Sequence, residues 1–312
     1  SRKAVFSPRR DRRYPSGDRF NIYAKGLTML IAQISDLHLK SDQAFAYDVA
    51  DTADALRRTV DHLNHMVSDP DVVLITGDIS DDGSRQSYDL ARKLLFDLKA
   101  PFYLIPGNHD QKKHLLEAFN FHRYLLEGVS GKEGNYLCFA IDDYPVRLIG
   151  IDTVTPGLHG GGIGPNRLKW LDDTLSKRAN IPTLVFMHHP PFASGIGHMD
   201  REVFHGREQL REVICRHPQV QRITCGHIHR AITCGFGGTV ATVCPGVGMQ
   251  LALDLRAEAP SGFKLEPAGV MVHCFERLWD DTAVMITHTS IVEDKSGQWG
   301  EFHPFFNVVS PK

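Results

Sequence analysis

Five short polar clusters, each placed after a run of apolar residues, constrain the fold of this chain more than any other feature of its sequence. In chain order they are Asp36-Leu37-His38, Gly77-Asp78, Gly107-Asn108-His109-Asp110, His188-His189 and Gly226-His227-Ile228-His229. Carboxylate, amide and imidazole groups are the ligands that hold pairs of hard or borderline divalent metal ions. Any one cluster could arise by chance, but five in ordered succession predict a metal centre at the ends of the apolar runs.

The first three clusters lie at the ends of predicted strands that alternate with predicted helices. Apolar runs at 29–35, 72–76 and 102–105 predict buried strands, and residues 48–67 and 84–98 carry apolar side chains at helical spacing. This order favours parallel strands joined by right-handed crossovers. Ligands of such sheets gather beyond the carboxyl ends of the strands, which is where these three clusters lie.

In the second half of the chain the predicted strands and helices no longer alternate regularly. Two further apolar runs, at 183–187 and 220–225, predict the strands that carry the last two clusters. The other predicted strands are 135–141 and 147–151, taken as an antiparallel pair, and 239–243, 270–275 and 283–287, taken as members of a second sheet. Helices are predicted at 165–177 and in the residues up to about 216. Together these elements predict an α/β fold.

The composition and charge of the chain are those of an ordinary globular protein. Its 312 residues can bury one large α/β core or two smaller ones. The formal net charge of −2 gives no overall field that favours nucleic acid or an anionic membrane, and no apolar run approaches the roughly 20 residues of a membrane span. Six cysteines without a CxxC pair indicate free thiols in a reducing compartment. We therefore expect a cytoplasmic protein with neither a membrane nor a nucleic-acid partner.

Three regions are expected along the chain. Residues 1–28 hold a cluster of arginines among proline and glycine and no apolar segment, so we expect a basic, disordered extension. Residues 29–290 contain all five clusters and are expected to form one domain. Residues 291–312 carry aromatic side chains that are expected to pack on this core or on a partner subunit.

The order of the clusters, D-x-H, G-D, G-N-H-D, H-H and G-H-x-H, resembles that of the calcineurin-like metallophosphoesterases over about residues 29–248. The resemblance implies the metallo-dependent phosphatase fold, a four-layer α-β-β-α sandwich of two mixed sheets flanked by helices. It also implies two metal ions, drawn from Fe, Mn, Zn and Co, and a bridging hydroxide that attacks phosphorus. The active site is then expected at the strand ends along one edge of the sandwich.

The same resemblance assigns a role to the polar residues of the clusters. One metal ion is expected to be held by Asp36, His38, Asp78 and His229. The other is expected to be held by Asp78, Asn108, His188 and His227. His109 matches the position that contacts the substrate phosphate or protonates the leaving alkoxide, and Asp110 matches the carboxylate that orients this histidine.

The residues around the clusters are similar to those of one subgroup, the bacterial class III cyclic nucleotide phosphodiesterases and their glycerophosphodiesterase relatives. The matching segments are Ile34–His38, Leu104–Asp110 and Met187–Pro191. This similarity implies hydrolysis of a small organic phosphodiester by a homodimer or larger homo-oligomer. Some members carry a histidine after the last cluster, where this chain has Met249, so the choice between a cyclic nucleotide and a glycerophosphodiester stays open. His198, in a loop that could overhang the site, is a second candidate contact to the substrate beside Met249.

Three other functions are compatible with such a site. A phosphomonoesterase, such as a protein phosphatase, is the nearest in chemistry, but beyond residues 1–28 the sequence shows no evident arginine cluster to hold a dianion. A non-catalytic scaffold of the same fold would have lost metal ligands, which this chain has kept. A nuclease would need a basic surface, which the near-neutral charge does not favour. The sequence therefore favours a phosphodiesterase of small substrates.

Overall fold

The computed structural model describes residues 27–126, 128–131, 134–277 and 282–292. The predicted extension at 1–28 and the predicted C-terminal tail at 291–312 lie almost entirely outside these residues, so both remain predictions. The helices are α1 (Thr52–Asn64), α2 (Arg85–Leu95), α3 (Lys112–Ala118), α4 (Pro165–Ser176), α5 (Gly197–Asp200) and α6 (Arg207–Cys215), with 3-10 turns at Ser41–Gln43 and Arg123–Leu126. No helix in this described part is long and apolar enough to cross a membrane.

The described strands form two large sheets and two small hairpins. In chain order they are β1 (Leu27–Ile34), β2 (Val72–Thr76), β3 (Phe102–Ile105), β4 (Val129–Gly131), β5 (Gly134–Tyr136), β6 (Phe139–Ile141), β7 (Arg147–Ile151), β8 (Thr183–Met187), β9 (Val220–Cys225), β10 (Ile232–Phe236), β11 (Thr239–Val243), β12 (Gln250–Leu251), β13 (Phe263–Lys264), β14 (Gly269–Arg277) and β15 (Ala283–Ile291). The first sheet has the order β15-β14-β1-β2-β3, and the second has the order β10-β11-β9-β8-β7-β6.

Parallel pairing in the centre of each sheet brings the carboxyl ends of several strands to one edge. In the first sheet β1, β2 and β3 are parallel, and in the second β7, β8, β9 and β11 are parallel. The remaining strands, β14, β15, β6 and β10, run antiparallel to their neighbours. The prediction of an α/β fold with two mixed sheets flanked by helices is therefore confirmed.

The two sheets face each other across a buried core. Every residue of β2, β7 and β8 is buried, as expected for parallel strands that are covered on both faces. Between the sheets, the side chain of Gln33 on β1 donates to the carbonyl of Cys225 on β9 at 2.9 Å. The Gln33 side-chain oxygen accepts from Thr224 and lies 3.3 Å from His273 Nε2. A small polar layer therefore ties the two sheets together within an apolar core.

Local sequence sets where the helices begin. At the start of α1 the Asp51 side chain accepts the Asp54 N–H at 3.0 Å, and at the start of α2 the Ser84 hydroxyl accepts the Ser87 N–H at 3.2 Å. Pro165 opens α4, where its missing N–H costs nothing. The cap at Asp51 explains why α1 begins later than the apolar periodicity of 48–67 predicts.

The predicted strand at 135–141 is interrupted in the structure. The Leu137 N–H donates to the Asp152 carboxylate at 3.1 Å, and the Cys138 N–H donates to the Tyr136 carbonyl at 3.0 Å. These bonds take the two N–H groups out of a strand ladder. Only β6 therefore pairs with β7, and β5 pairs with β4 in a separate hairpin.

The prediction that 239–243, 270–275 and 283–287 share a second sheet was wrong for two of the three runs. β11 lies in the second sheet beside β9, whereas β14 and β15 extend the first sheet along the free edge of β1. The apolar pattern of a strand identifies its buried face but not its neighbour, so this pairing follows from tertiary packing. The sequence also gave no indication of β10, whose residues are mostly exposed or half-buried.

Candidate metal centre

The polar clusters meet at the carboxyl ends of the parallel strands. The loops after β1, β2 and β3 supply Asp36, His38, Asp78 and Asn108, and the loops after β8 and β9 supply His188, His227 and His229. These residues are buried, except for Asn108 and His227, which are half-buried. Burial of so many ionisable groups is costly unless they are paired or bound to metal.

The backbone has a left-handed conformation at five of these seven positions. The φ angle is 56° at Asp36, 43° at His38, 48° at Asp78, 71° at His227 and 47° at His229. A residue other than glycine costs roughly 1–2 kcal/mol in this region, and such strain gathers at functional sites. The backbone is therefore strained at the strand ends where the candidate ligands converge.

Close approach of the loops requires glycine at two cluster positions. A Cβ on Gly107 would lie 2.2 Å from Asp78 Oδ1. A Cβ on Gly226 would lie 1.9 Å from Ser35 Oγ and 2.9 Å from Asp36 Oδ2. The glycines of the G-N-H-D and G-H-x-H clusters therefore let the backbone pack directly against the two carboxylates.

One group of donor atoms belongs to Asp36, His38 and His229. His38 Nε2 lies 3.1 Å from His229 Nε2, and His229 Nε2 lies 3.3 Å from Asp36 Oδ1. His38 Nδ1 donates to the Asp81 carboxylate and His229 Nδ1 donates to the Met249 carbonyl, each at 3.1 Å, because these oxygens can only accept. In the neutral rings both Nε2 atoms therefore carry lone pairs, and these lone pairs point into the same space.

A second group of donor atoms belongs to Asp78, Asn108 and His188. His188 Nε2 lies 3.3 Å from Asp78 Oδ2 and 3.1 Å from Asn108 Oδ1. His188 Nδ1 donates to the Thr76 carbonyl at 2.7 Å, which again turns Nε2 toward the site. The ring of His227 lies beside this group, with its centroid 5.2 Å from that of His188.

The Asp78 carboxylate joins the two groups. Its Oδ2 lies 3.6 Å from His38 Nε2 in the first group and 3.3 Å from His188 Nε2 in the second. Donor atoms bound at about 2.1 Å from one ion lie roughly 3.0–3.4 Å from one another, which is the spacing of most pairs above. Oxygens and imidazole nitrogens that converge with their lone pairs need a cation as their common partner. The donor set therefore fits two metal ions that share Asp78.

The electrostatics of the site also favours bound cations. Burial raises the pKa of Asp36, but the charge and hydrogen bond of His229, together with the charge of His188, lower this pKa to about 2. Burial also opposes ionisation of Asp78, yet His188 holds the pKa of this carboxyl well below its usual range. Burial lowers the pKa of His188, but the charge and hydrogen bond of Asp78, together with the Asp36 carboxylate and the Thr76 carbonyl, raise it to about 9. Two buried carboxylates therefore stay ionised and attract positive charge.

His109 lies beside the site and is oriented by Asp81. The His109 N–H donates to Asp78 Oδ1 at 2.9 Å, and His109 Nδ1 donates to the Asp81 carbonyl at 3.0 Å. The Asp81 carboxylate also accepts from His38, so this one residue contacts two histidines of the site. Sequence reasoning missed Asp81, because nothing in its local pattern distinguishes it from the neighbouring Asp82.

Asp110 makes different contacts from those expected of it. Its carboxylate accepts three backbone N–H groups and one phenol at 2.8–3.1 Å, those of Gly107, Ile79, Ser80 and Tyr88. Burial raises the pKa of Asp110 to about 6. Asp110 therefore holds the loops after β2 and β3 together, and Asp81 contacts the His109 ring; the role of Asp110 in orienting His109 remains a prediction.

His189 lies behind the site, and His159 lies at its edge. The His189 ring centroid is 4.6 Å from that of His227, its Nδ1 lies 2.9 Å from the Thr153 hydroxyl, and its Nε2 donates to the His159 carbonyl at 2.9 Å. Burial lowers the pKa of His189 far below its usual value, so this ring is neutral. His159 is exposed, and its ring centroid lies 6.0 Å from that of His109. The glycine-rich loop after β7 therefore brings the exposed imidazole of His159 near the half-buried His109.

His198 and Met249, the two predicted substrate contacts, have different surroundings. The Met249 side chain is 2% exposed and packs with Ala46 and Ala50, while its carbonyl orients His229. His198 lies in α5, and both of its ring nitrogens are buried without a hydrogen-bond partner among the described residues. For both residues, contact with substrate remains a prediction.

Sequence comparisons connect this site to known enzymes. The family model described as calcineurin-like phosphoesterase matches residues 29–231. A protein of Arcobacter nitrofigilis, named a probable glycerophosphodiester phosphodiesterase GpdQ, is 36% identical over 280 residues, which are 89% of this chain and 97% of the relative. A Synechococcus protein named a probable cyclic nucleotide phosphodiesterase is 33% identical over 246 residues, which are 78% of this chain and 90% of the relative.

A structural comparison shows a solved protein with a similar fold. The crystal structure of a dimetal phosphatase from Danio rerio has a TM-score of 0.61 and 17% sequence identity, and it covers 86% of this chain and 99% of that one. At this level of identity the likeness shows the fold alone. The family match spans the ordered polar clusters and most of both sheets, and the chain belongs to the calcineurin-like phosphoesterase family.

Proposed function

We propose that this protein is a dinuclear metal-dependent phosphodiesterase that hydrolyses small organic phosphodiesters. The observation that carries the proposal is the position of Asp78, whose Oδ2 lies 3.6 Å from His38 Nε2 and 3.3 Å from His188 Nε2, between two groups of donor atoms. The names of the relatives, a glycerophosphodiester phosphodiesterase and a cyclic nucleotide phosphodiesterase, support a diester as the substrate.

Residues at the strand ends would hold the two metal ions. One ion would take Asp36, His38, Asp78 and His229, and the other would take Asp78, Asn108, His188 and His227. Such mixed oxygen and nitrogen donors suit Fe, Mn, Zn or Co. When bound, a pair of these ions supplies a nucleophile from water at neutral pH and neutralises charge on the phosphoryl oxygens.

His109 is the residue best placed to move a proton. Its Nδ1 donates to the Asp81 carbonyl at 3.0 Å, so Nε2 is the nitrogen that faces the substrate; when both ring nitrogens are protonated, Nε2 gives its proton to the leaving alkoxide and the ring is left neutral, with its proton on Nδ1. The His109 side chain is 22% exposed, which leaves it accessible to a substrate. The bond from the His109 N–H to Asp78 at 2.9 Å fixes its backbone beside the shared carboxylate.

The contacts of Arg230 favour a diester over a monoester. Arg230 directly follows His229, and its guanidinium donates to the Leu251 carbonyl and pairs with Glu266 at 3.0 Å. Its charge is therefore already balanced by a carboxylate and does not compensate the second charge of a monoester dianion. A phosphomonoesterase is the alternative that the experiment below separates.

The proposal includes a cytoplasmic location and a homodimer or larger assembly. All six cysteines lie in the described part of the chain and are free thiols, which suits a reducing compartment. The net charge of −2 supports a small substrate rather than a nucleic-acid partner. The proposal of a homodimer or larger homo-oligomer rests on the similarity to the bacterial subgroup. Light scattering of the purified protein measures its oligomeric state.

Metal analysis combined with a substrate panel tests the proposed function. The panel contains cyclic AMP, 2′,3′-cyclic nucleotides and glycerophosphodiesters, each assayed with the metal-loaded protein. We expect turnover of at least one of them, and faster turnover of bis(p-nitrophenyl) phosphate than of p-nitrophenyl phosphate. Faster monoester turnover would indicate a phosphomonoesterase, and full metal occupancy without any turnover would indicate a scaffold.

A further inference from the structure

A buried ion pair outside the metal centre joins the two halves of the fold. Lys112 Nζ lies 2.6 Å from Asp152 Oδ2, where the Asp152 side chain is fully buried and the Lys112 side chain is 25% exposed. The same carboxylate accepts the N–H of Leu137 at 3.1 Å and the N–H of Val154 at 2.9 Å. With three donors around it, the carboxylate has a fixed position and provides a rigid anchor for the ammonium group.

Tyr136 and Arg167 complete the surroundings of this ion pair. The Lys112 ammonium lies 4.7 Å from the centroid of the Tyr136 ring, and the Arg167 guanidinium lies 3.7 Å from the same centroid. Arg167 also donates to the Asp152 carbonyl at 2.6 Å. Lys112 is therefore held by both a carboxylate and an aromatic face.

The ion pair connects the loop after β3, which carries Asn108 and His109, with the loop after β7, which borders the metal centre. Lys112 is the first residue of α3 and comes directly after the loop that carries His109, in the half built on the first sheet. Asp152 follows β7, in the half built on the second sheet, and is itself followed by Thr153. The Thr153 hydroxyl lies 2.9 Å from His189 Nδ1. The contact between Lys112 and Asp152 therefore ties the His109 loop to the loop that orients His189.

Helix stability does not account for a lysine at this position. A cation in the first turn opposes the helix dipole, and α3 has no acidic residue in its first turn to offset it. The buried Asp152 carboxylate does account for it, because that carboxylate needs a cation. The next residue, Lys113, is exposed and provides a matched control on the same helix turn.

We propose that Lys112 is a positioning residue that sets the distance between His109 and the loop after β7. The inference rests on the proposed function, since it concerns the same site. When the ammonium is removed, α3 and the G-N-H-D cluster lose their anchor on the second half of the fold. Displacement of a catalytic group by about 1 Å costs up to roughly 100-fold in rate.

Three single variants test the proposal: Lys112→Met, Lys112→Arg and the control Lys113→Met. Each is measured for kcat and KM on a phosphodiester and for Mn²⁺ affinity by calorimetric titration. We expect Lys112→Met to lower kcat roughly 10- to 100-fold while KM changes by less than about 3-fold, and to weaken Mn²⁺ binding about 10-fold. Lys112→Arg should keep kcat within about 3-fold of the wild type, because it restores the charge. Lys113→Met should match the wild type.

A double variant separates positioning from loss of stability. Lys112→Met leaves the Asp152 carboxylate buried without its cation, so Lys112→Met/Asp152→Asn, which removes that charge, is measured beside it. We expect the double variant to melt no lower than Lys112→Met and to retain the losses in kcat and Mn²⁺ affinity. Wild-type values of kcat and Mn²⁺ affinity in Lys112→Met, or in the double variant Lys112→Met/Asp152→Asn, would overturn the proposal. A wild-type protein without Mn²⁺ binding and diesterase activity would overturn the proposed function and this inference with it.

Discussion

Replacing Asp81 by asparagine removes one charge beside two histidines of the site and keeps the shape of the side chain. The Asp81 carboxylate accepts from His38 Nδ1 at 3.1 Å, and its side chain is 13% exposed. The bond from His109 Nδ1 goes to the Asp81 carbonyl, so the substitution leaves that bond intact. The Asp81 carboxylate also lies 3.9 Å from His109 Nδ1, which is beyond hydrogen-bond distance, so the main effect is expected at His38 and at the metal ion that we propose His38 holds.

The size of the effect follows from the strength of a charged hydrogen bond. A hydrogen bond to a charged group contributes about 1.5–3 kcal/mol and a neutral one about 0.5–1.5 kcal/mol. The asparagine keeps the neutral bond, so the expected loss is about 1–1.5 kcal/mol in the free energy of metal binding. This loss corresponds to roughly 10-fold weaker binding. Asp81→Ala removes the bond altogether, and its expected loss approaches about 100-fold.

Calorimetric titration of Mn²⁺ into the metal-free protein measures this affinity. At saturating Mn²⁺ the kcat of Asp81→Asn should return to within about 3-fold of the wild type, because His109 keeps its contact. Asp82→Asn is the matched control, since the Asp82 carboxylate accepts from Ser80 at 3.2 Å and from Ser84 at 2.9 Å rather than from a histidine. Wild-type Mn²⁺ affinity in Asp81→Asn, or an equal loss in Asp82→Asn, would refute the reasoning.

Three further predictions concern catalysis, close packing and stability. His109→Ala should keep its metal content while kcat falls by about 10²–10⁴, the usual contribution of a general acid; unchanged kcat would remove His109 from the mechanism. Gly107→Ala should lose metal by elemental analysis, because its Cβ would lie 2.2 Å from Asp78 Oδ1. Burial lowers the pKa of His273 from 6.5 to about 3, so unfolding takes up a proton and stability should fall as the pH drops below 6.5. Urea unfolding above and below this pH should show a smaller decline in His273→Gln, and an equal decline would contradict the assignment.

The strand ends could be predicted because the apolar runs stop at polar clusters. The strands at 72–76, 102–105, 183–187 and 220–225 have the bounds that the sequence predicts. Parallel strands bring their carboxyl ends to one edge of a sheet. The polar residues that follow these strands could therefore be predicted as candidate ligands, and the structure brings them together. The pattern of apolar residues was sufficient to predict a strand and its bounds. The polar residue directly after each strand was then sufficient to predict a candidate ligand.

Features that depend on distant partners could not be predicted in this way. The pairing of β14 with β1 joins segments from opposite ends of the described chain. The apolar pattern of a strand does not predict which other strand it pairs with. The left-handed φ angles at Asp36 and His227 are imposed by surrounding packing, because neither residue type requires them. Asp81 contacts His38, and Lys112 contacts Asp152, each about 40 positions away in the sequence. Each of these features required the folded structure.

The metal content of wild type and Asp78→Ala tests the central claim most directly. Both proteins are reconstituted with Mn²⁺, freed of unbound metal, and measured for bound Mn²⁺ per chain and for diester turnover. Because Asp78 contacts both groups of donor atoms, we predict two ions per wild-type chain and loss of both ions and nearly all turnover in Asp78→Ala. A wild-type chain that binds no metal, or an Asp78→Ala chain that keeps both ions and normal turnover, would contradict the account.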